Sequence, residues 1–239
     1  MEAAGGYGRI VAAAAAGDLG LFAPLTERFG SIVRLLPCDR TSSFGLRYEG
    51  EKRTLTVEAV GQTWARAEVE AADPDTTWVH VAPLLRVDFP ADTLALLARR
   101  GHKLSYDGQG LVRCDQIGPV ALDRNFDADL LANVSVLKIA DDEASVIADG
   151  EFDELSARLL GVPEIVVTFG SDGCDLYLDG HKAHIPAAWR VKGVHTTGAG
   201  DMFTTCYVAS RAAGVTPVEA AERASQLVAT ELQRRLDAS

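Results

Sequence analysis

His195-Thr-Thr-Gly-Ala-Gly-Asp-Met-Phe203 is the stretch from which the rest of the 239-residue chain is read. Gly198 and Gly200 bracket Ala199, so the backbone can enter conformations closed to other residues and turn successive N–H groups toward one point. The residues that follow are striped for a helix: Met202, Cys206, Ala209 and Ala213 recur at steps of three and four, with Phe203 and Tyr207 beside them. A helix N-terminus carries unpaired N–H groups and roughly half a positive charge, so an anion above residues 198–200 is held by geometry and dipole together. Asp201 falls in the first turn, aimed where a phosphoryl acceptor would lie. Taken alone, such an acid is an ordinary first-turn residue worth about 0.3–1 kcal/mol.

A hydrophobic content of 47% supports one sizeable core, and residues 1–239 read as a single domain. The net charge is −11, with 23 Lys and Arg against 34 Asp and Glu. That balance offers no broad basic surface, so neither nucleic acid nor an anionic membrane is expected as a partner. An anionic nucleotide must instead be captured locally, by backbone N–H groups and metal. Cys38, Cys114, Cys174 and Cys206 lack Cys-x-x-Cys spacing, which argues against zinc or redox chemistry and for free thiols in a reducing cytoplasm. The apolar run 10–16, between Arg9 and Asp18, is too short to span a membrane and poorly built as a signal peptide. A buried strand explains it better.

Gly5, Gly6 and Gly8 precede that run, whereas a dinucleotide fingerprint needs its glycines after a strand and before a helix, so a Rossmann reading fails. A strand at 9–16, a helix at 21–29 and a strand at 32–36 begin a β/α alternation. Phe44, Leu46 and Tyr48 then alternate with Gly45 and Arg47, and Leu55, Val57 and Ala59 with Thr54, Thr56, Glu58 and Val60, about Glu49-Gly50-Glu51. This is a hairpin inserted at 41–63, lying over a site, against a partner subunit or simply at an edge.

The alternation resumes with a strand at 78–81, a helix at 90–99 and a strand at 103–106 that ends in Asp107-Gly108-Gln109-Gly110. Polar strand ends suit a ligand crevice, because α/β sheets bind at the carboxyl ends of their strands; Asp107 is a candidate substrate contact on that ground. A strand at 134–138 ends in Lys138, a phosphate ligand or a solvated lysine, and Asp141-Asp142-Glu143 opens a helix. A strand at 164–168 leads into Phe169-Gly-Ser-Asp-Gly173, and Asp179-Gly180 between two short runs is a hairpin signal. Gly214 stops the helix that follows the glycine turn. Thr216-Pro-Val-Glu219 is a capping box opening the last helix, striped by Ala221, Ala224, Val228 and Leu232. No Walker sequence occurs.

Thr196-Thr-Gly-Ala-Gly-Asp-x-Phe203 resembles the C-terminal signature of the ribokinase-like, or PfkB, carbohydrate kinases. The resemblance implies a ribokinase-like three-layer α/β sandwich, with a mostly parallel central sheet and residues 41–63 as a β-hairpin lid. It implies ATP and Mg2+ as cofactors, Asp201 as the base for the acceptor hydroxyl, and Gly198, Ala199 and Gly200 as the anion hole. Thr197 belongs to the same signature, and Thr168-x-Gly170-x-x-Gly173 looks like the family's strand-to-loop segment beside the nucleotide, with Lys138 near the phosphates. Ala140-Asp-Asp-Glu143 stands where the family often shows Asn-x-x-Glu around magnesium, keeping Glu143 as the metal candidate. Phe44 and Arg47 of the lid would face the acceptor. His195 stands where the signature usually has Asp, which leaves the anion hole unaltered and removes the carboxylate that would support a monovalent-cation site. Members normally begin with a strand bearing an acceptor-binding Asp, a Gly-Gly turn and a helix, a unit not matched ahead of Arg9.

The expected function is ATP-dependent phosphorylation of a hydroxyl on a small sugar or nucleoside. The alternative is a non-catalytic nucleotide-binding or regulatory member of the same fold, and the hairpin could also serve a homodimer.

Overall fold

A computed structural model of the chain describes residues 8–49, 52–72 and 75–238; Gly5 and Gly6, and Gly50 with Glu51 in the expected hairpin turn, lie outside them. The strands are β1 (Ile10–Ala15), β2 (Val33–Cys38), β3 (Ser43–Glu49), β4 (Lys52–Ala59), β5 (Trp78–Val81), β6 (Lys103–Asp107), β7 (Gly118–Pro119), β8 (Val134–Ala140), β9 (Glu164–Thr168), β10 (Cys174–Leu178) and β11 (His181–Ile185). The α-helices are α1 (Ala23–Phe29), α2 (Arg66–Ala72), α3 (Ala91–Arg99), α4 (Gln109–Val112), α5 (Asp141–Ala148), α6 (Glu154–Leu160), α7 (Ala199–Ala212) and α8 (Pro217–Asp237).

Six strands form the central sheet in the order β11-β10-β9-β8-β6-β5. β5, β6, β8 and β9 run parallel, and the β10–β11 hairpin continues the sheet antiparallel. Its turn has Asp179 at φ 48° and Gly180 at φ 78°, the paired positive values of a tight hairpin turn. β8 lies in the middle, and its near-continuous apolar run is what a strand covered on both faces requires. On one face Leu137, Ile139, Ile165 and Val167 pack with Leu94, Leu97, Ala144 and Ala157 from α3, α5 and α6. On the other, Val136, Val166 and Leu176 meet Phe203, Cys206 and Tyr207 of α7 and Ala220, Ala221 and Ala224 of α8. Helices on both sides of a mostly parallel sheet make the expected three-layer α/β sandwich.

The fold departs from the sequence reading in three places. The first strand is not deeply buried: among the described residues β1 pairs with β2 alone, as a two-stranded parallel sheet outside the central one, and Ala14 is its one buried residue. The helix expected from residue 21 is preceded by a 3₁₀ stretch, Ala16–Phe22, and α1 proper starts at Ala23, with Pro24 in its first turn. The α7 stripe is rotated. Phe203, Thr204, Cys206, Tyr207 and Ser210 are buried, whereas Ala213 is exposed, because the aromatic pair rather than the alanine row meets the sheet.

The hairpin forms as read, with β3 and β4 antiparallel from Ser43↔Ala59 to Glu49↔Lys52, and β7 of the same chain adds a short third strand. α8 begins as its sequence predicts: Thr216 Oγ1 accepts from the Glu219 N–H and Pro217 fills the first turn. Among the described residues no helix is long and apolar enough to cross a membrane.

Candidate active site

Alternation along the buried strands determines what lies beneath the glycine turn. Val79 and Val81 of β5, Leu104 and Tyr106 of β6, and Leu137 and Ile139 of β8 all point to the α3/α5/α6 layer. Their neighbours His80, Ser105, Asp107 and Lys138 must therefore point to the α7 side, three strands placing polar groups in one row at or near their carboxyl ends. His80 Nδ1 and Ser105 Oγ are 3.2 Å apart, and Lys138 Nζ is 3.7 Å from Asp107 Oδ1. Ser105, Asp107 and Lys138 are buried. Burial holds the His80 pKa below the ordinary histidine value, against the pull of the Asp107 and Asp201 carboxylates.

Above this row the chain enters α7 through Gly198, whose φ of 81° is the left-handed conformation that glycine permits. Gly200 allows a second close approach: a Cβ there would stand 3.2 Å from Lys138 Nζ. Thus the sequence-distant Lys138 and the glycine turn converge. The Ala199 N–H is turned back onto Thr196 O at 2.9 Å, which removes it from the expected anion hole. Among the described residues no partner engages the N–H groups of Gly198, Gly200 or Asp201 and none hydrogen-bonds Lys138 Nζ, whose nearest counter-charge is Asp107. A buried ammonium so weakly paired, beside unengaged amides at the positive end of a fourteen-residue helix, has the chemistry that suits an anion. Asp201 is exposed, with no side-chain hydrogen bond or ion pair among the described residues.

The remaining predicted residues are placed unevenly. Thr168 ends β9 on the α7 side, its hydroxyl donating to Ile139 O at 3.4 Å, and Gly170 and Gly173 shape the 3₁₀ turn that follows. Glu143 is buried at the start of α5, where Oε2 accepts from the Ala140 N–H at 2.9 Å and Oε1 lies 3.7 Å from Arg113 Nη2. Burial raises its pKa against that hydrogen bond and the nearby Lys138 and Arg113. Both oxygens are so engaged, and among the described residues no group of three or more His, Cys, Asp or Glu side chains is placed to hold a metal.

The hairpin reaches the glycine turn. Tyr48 of β3 is hydrogen-bonded through its hydroxyl to Thr197 Oγ1, and its ring lies 5.2 Å from that of His195. Phe44 shares a strand face with Tyr48, whereas Arg47 alternates to the opposite face and is exposed. From the other side, Arg235 of α8 donates to Thr197 O at 3.1 Å. Sequence reasoning missed His80, Ser105, Tyr48, Arg113 and Arg235 as site residues. A signal did exist for the first two: each is a polar residue in phase with Asp107 and Lys138 within an otherwise apolar strand.

With this geometry in hand, comparison with known proteins gives consistent matches. The model of the pfkB family carbohydrate kinases matches residues 62–238. Inositol 3-kinase of Zea mays is 34% identical over 134 residues, 54% of this chain and 33% of that protein, so the chain spans about a third of the length of that curated relative. A pyrophosphate-dependent kinase in the ribokinase family, complexed with a pyrophosphate analog and myo-inositol, superposes with a TM-score of 0.79 at 22% identity, covering 96% of this chain and 82% of that one. Arabidopsis thaliana ribokinase complexed with ribose and ATP gives 0.69 at 16%, covering 94% and 75%. Similarity at these identities speaks to the fold, and the family match extends over most of the sequence. The chain belongs to the pfkB family of carbohydrate kinases.

Proposed function

We propose that the protein transfers a phosphoryl group to a hydroxyl of a small sugar or polyol. The observation that carries this reading is the buried, weakly paired Lys138 beside Gly200 at the head of α7. The amides of Gly198, Gly200 and Asp201, with Lys138, hold the oxygens of the transferring phosphoryl group, where charge is spread in a loose transition state. Asp201 accepts the proton of the acceptor hydroxyl as its oxygen bonds to phosphorus, and the bond from phosphorus to the donor's bridging oxygen breaks, releasing the donor remainder. Thr168, Gly170, Gly173 and Thr197 line the donor side; Asp107 and the Phe44 face of the lid line the acceptor side. Mg2+ in this reading arrives on the donor's phosphates, since Glu143 is already engaged.

ATP is the donor on the family's pattern. Pyrophosphate is a specific second reading, because the part of the site built here is a phosphate cradle and the pyrophosphate-dependent neighbour superposes more closely than the ATP-bound ribokinase. The acceptors named for relatives, myo-inositol and ribose, set the first panel. A nucleoside belongs in it as well. The cytoplasmic setting agrees with four free cysteines, and a homodimer through the lid agrees with the exposed Leu46.

The test is a matrix of ATP or pyrophosphate against myo-inositol, ribose, fructose and a nucleoside, followed as acceptor-dependent release of ADP or phosphate. Asp201→Asn should abolish turnover while leaving donor binding within about twofold. Wild-type protein that binds ATP yet releases nothing with any acceptor would instead be a non-catalytic member of the family.

A further inference from the structure

The lid and the anion cradle are joined by a contact that the proposed chemistry does not require. Tyr48 lies in β3, 149 residues before Thr197, yet the two hydroxyls share a hydrogen bond. The Tyr48 ring also lies against His195, tilted by 60° with centroids 5.2 Å apart. Both contacts fall on the segment that shapes the turn: Thr196 O accepts the Ala199 N–H, and Thr197 O is braced by Arg235. The lid therefore touches the residues that fix where the free amides of Gly198, Gly200 and Asp201 point. Tyr48 is itself 39% exposed, so its docking is not dictated by burial in the core.

Resting on the phosphoryl-transfer reading, we propose that Tyr48 is a positioning residue: a latch that docks the lid onto His195 and Thr197 and so couples lid closure to the geometry of the anion cradle. A hydroxyl–hydroxyl bond plus one tilted ring contact, both near solvent, is weak enough to break in each cycle, as a lid that admits substrate and releases product requires. Closing excludes water from the cradle, so the latch favours transfer to the acceptor hydroxyl over transfer to water. His195 serves as the ring on which Tyr48 rests, a role that the aspartate usual at this position could not fill.

Two variants separate the contacts. Tyr48→Phe keeps the ring on His195 and loses the bond to Thr197, whereas Tyr48→Ala loses both. In hydrogen exchange without substrate, peptides covering residues 193–201 should exchange at least threefold faster in Tyr48→Ala, with Tyr48→Phe intermediate and peptides from β8 and β9 unchanged. With ATP and myo-inositol, or whichever pair the wild type uses, Tyr48→Ala should raise the ratio of donor hydrolysis to acceptor phosphorylation about tenfold. Its acceptor KM should rise while the donor dissociation constant stays within twofold, and Tyr48→Phe should recover part of the loss. Unchanged exchange at 193–201, or an unchanged hydrolysis ratio in an active Tyr48→Ala protein, overturns the latch. Faster exchange in a protein whose wild type phosphorylates nothing supports the latch and defeats the catalytic reading instead.

Discussion

Lys138 is the residue on which most turns. A lysine in a central strand is costly to bury unless a counter-charge or ligand meets it, and its Asp107 partner at 3.7 Å is too distant for a hydrogen bond. On the phosphoryl-transfer reading, the remaining attraction is free for an anion above Gly200. Lys138→Met should therefore lower kcat about 10²- to 10³-fold, in the range found when one preorganised donor is removed from a transition state. It should also weaken donor binding, and initial rates over a donor titration read both effects. Asp201→Asn should affect kcat alone, so the pair separates binding from proton acceptance. Lys138, Asp107 and Asp201 stand out in the sequence as candidates because each sits at a strand end or helix start with a recognisable signal. His80 was not: in a four-residue strand one polar residue between valines does not show which face it takes until neighbouring strands fix it.

At the scale of elements, the position of the cradle depends on how α7 is seated. Glu164, at the start of β9, accepts from Tyr207 Oη at 2.8 Å and from Arg211 Nη2 at 2.6 Å. One strand thereby grips α7 at two successive turns, with the glycine turn at the far end of the helix. Arg211→Met would leave a largely buried carboxylate without its cation and should cost about 3 kcal/mol. The loss is read as a lower urea midpoint. β8, β9, the Asp179-Gly180 hairpin and α8 were legible because their patterns are local. α6 is not legible from local pattern although Asp153 caps it and Gly161 ends it, since Leu155 and Leu159 face solvent and its apolar residues do not describe a buried stripe.

Over the whole molecule, buried titratable groups shape how stability responds to pH. Burial lowers the folded-state pKa of His80, so its contribution is full above the unfolded histidine value near 6.5 and is lost as pH falls through the lower folded value. Burial raises the pKa values of Asp88 and Glu143, whose contributions are present in acid and lost as pH rises through their folded values. His80→Gln removes only the first effect. Thermal melts between pH 7.5 and 5 should show the wild type losing more of its Tm on acidification than the variant; parallel curves would mean that His80 does not titrate there.

The sequence by itself determined the glycine turn at the head of α7, the parallel β/α alternation and the hairpin, because glycine conformation, helix polarity and apolar period are properties of neighbouring residues. Only the tertiary structure decided that β5, β6 and β8 turn their polar residues to one side in a row under that turn, and that Tyr48 closes on Thr197. These outcomes depend on strand register and on packing between segments far apart in the chain, and no local pattern encodes which distant face a side chain will meet.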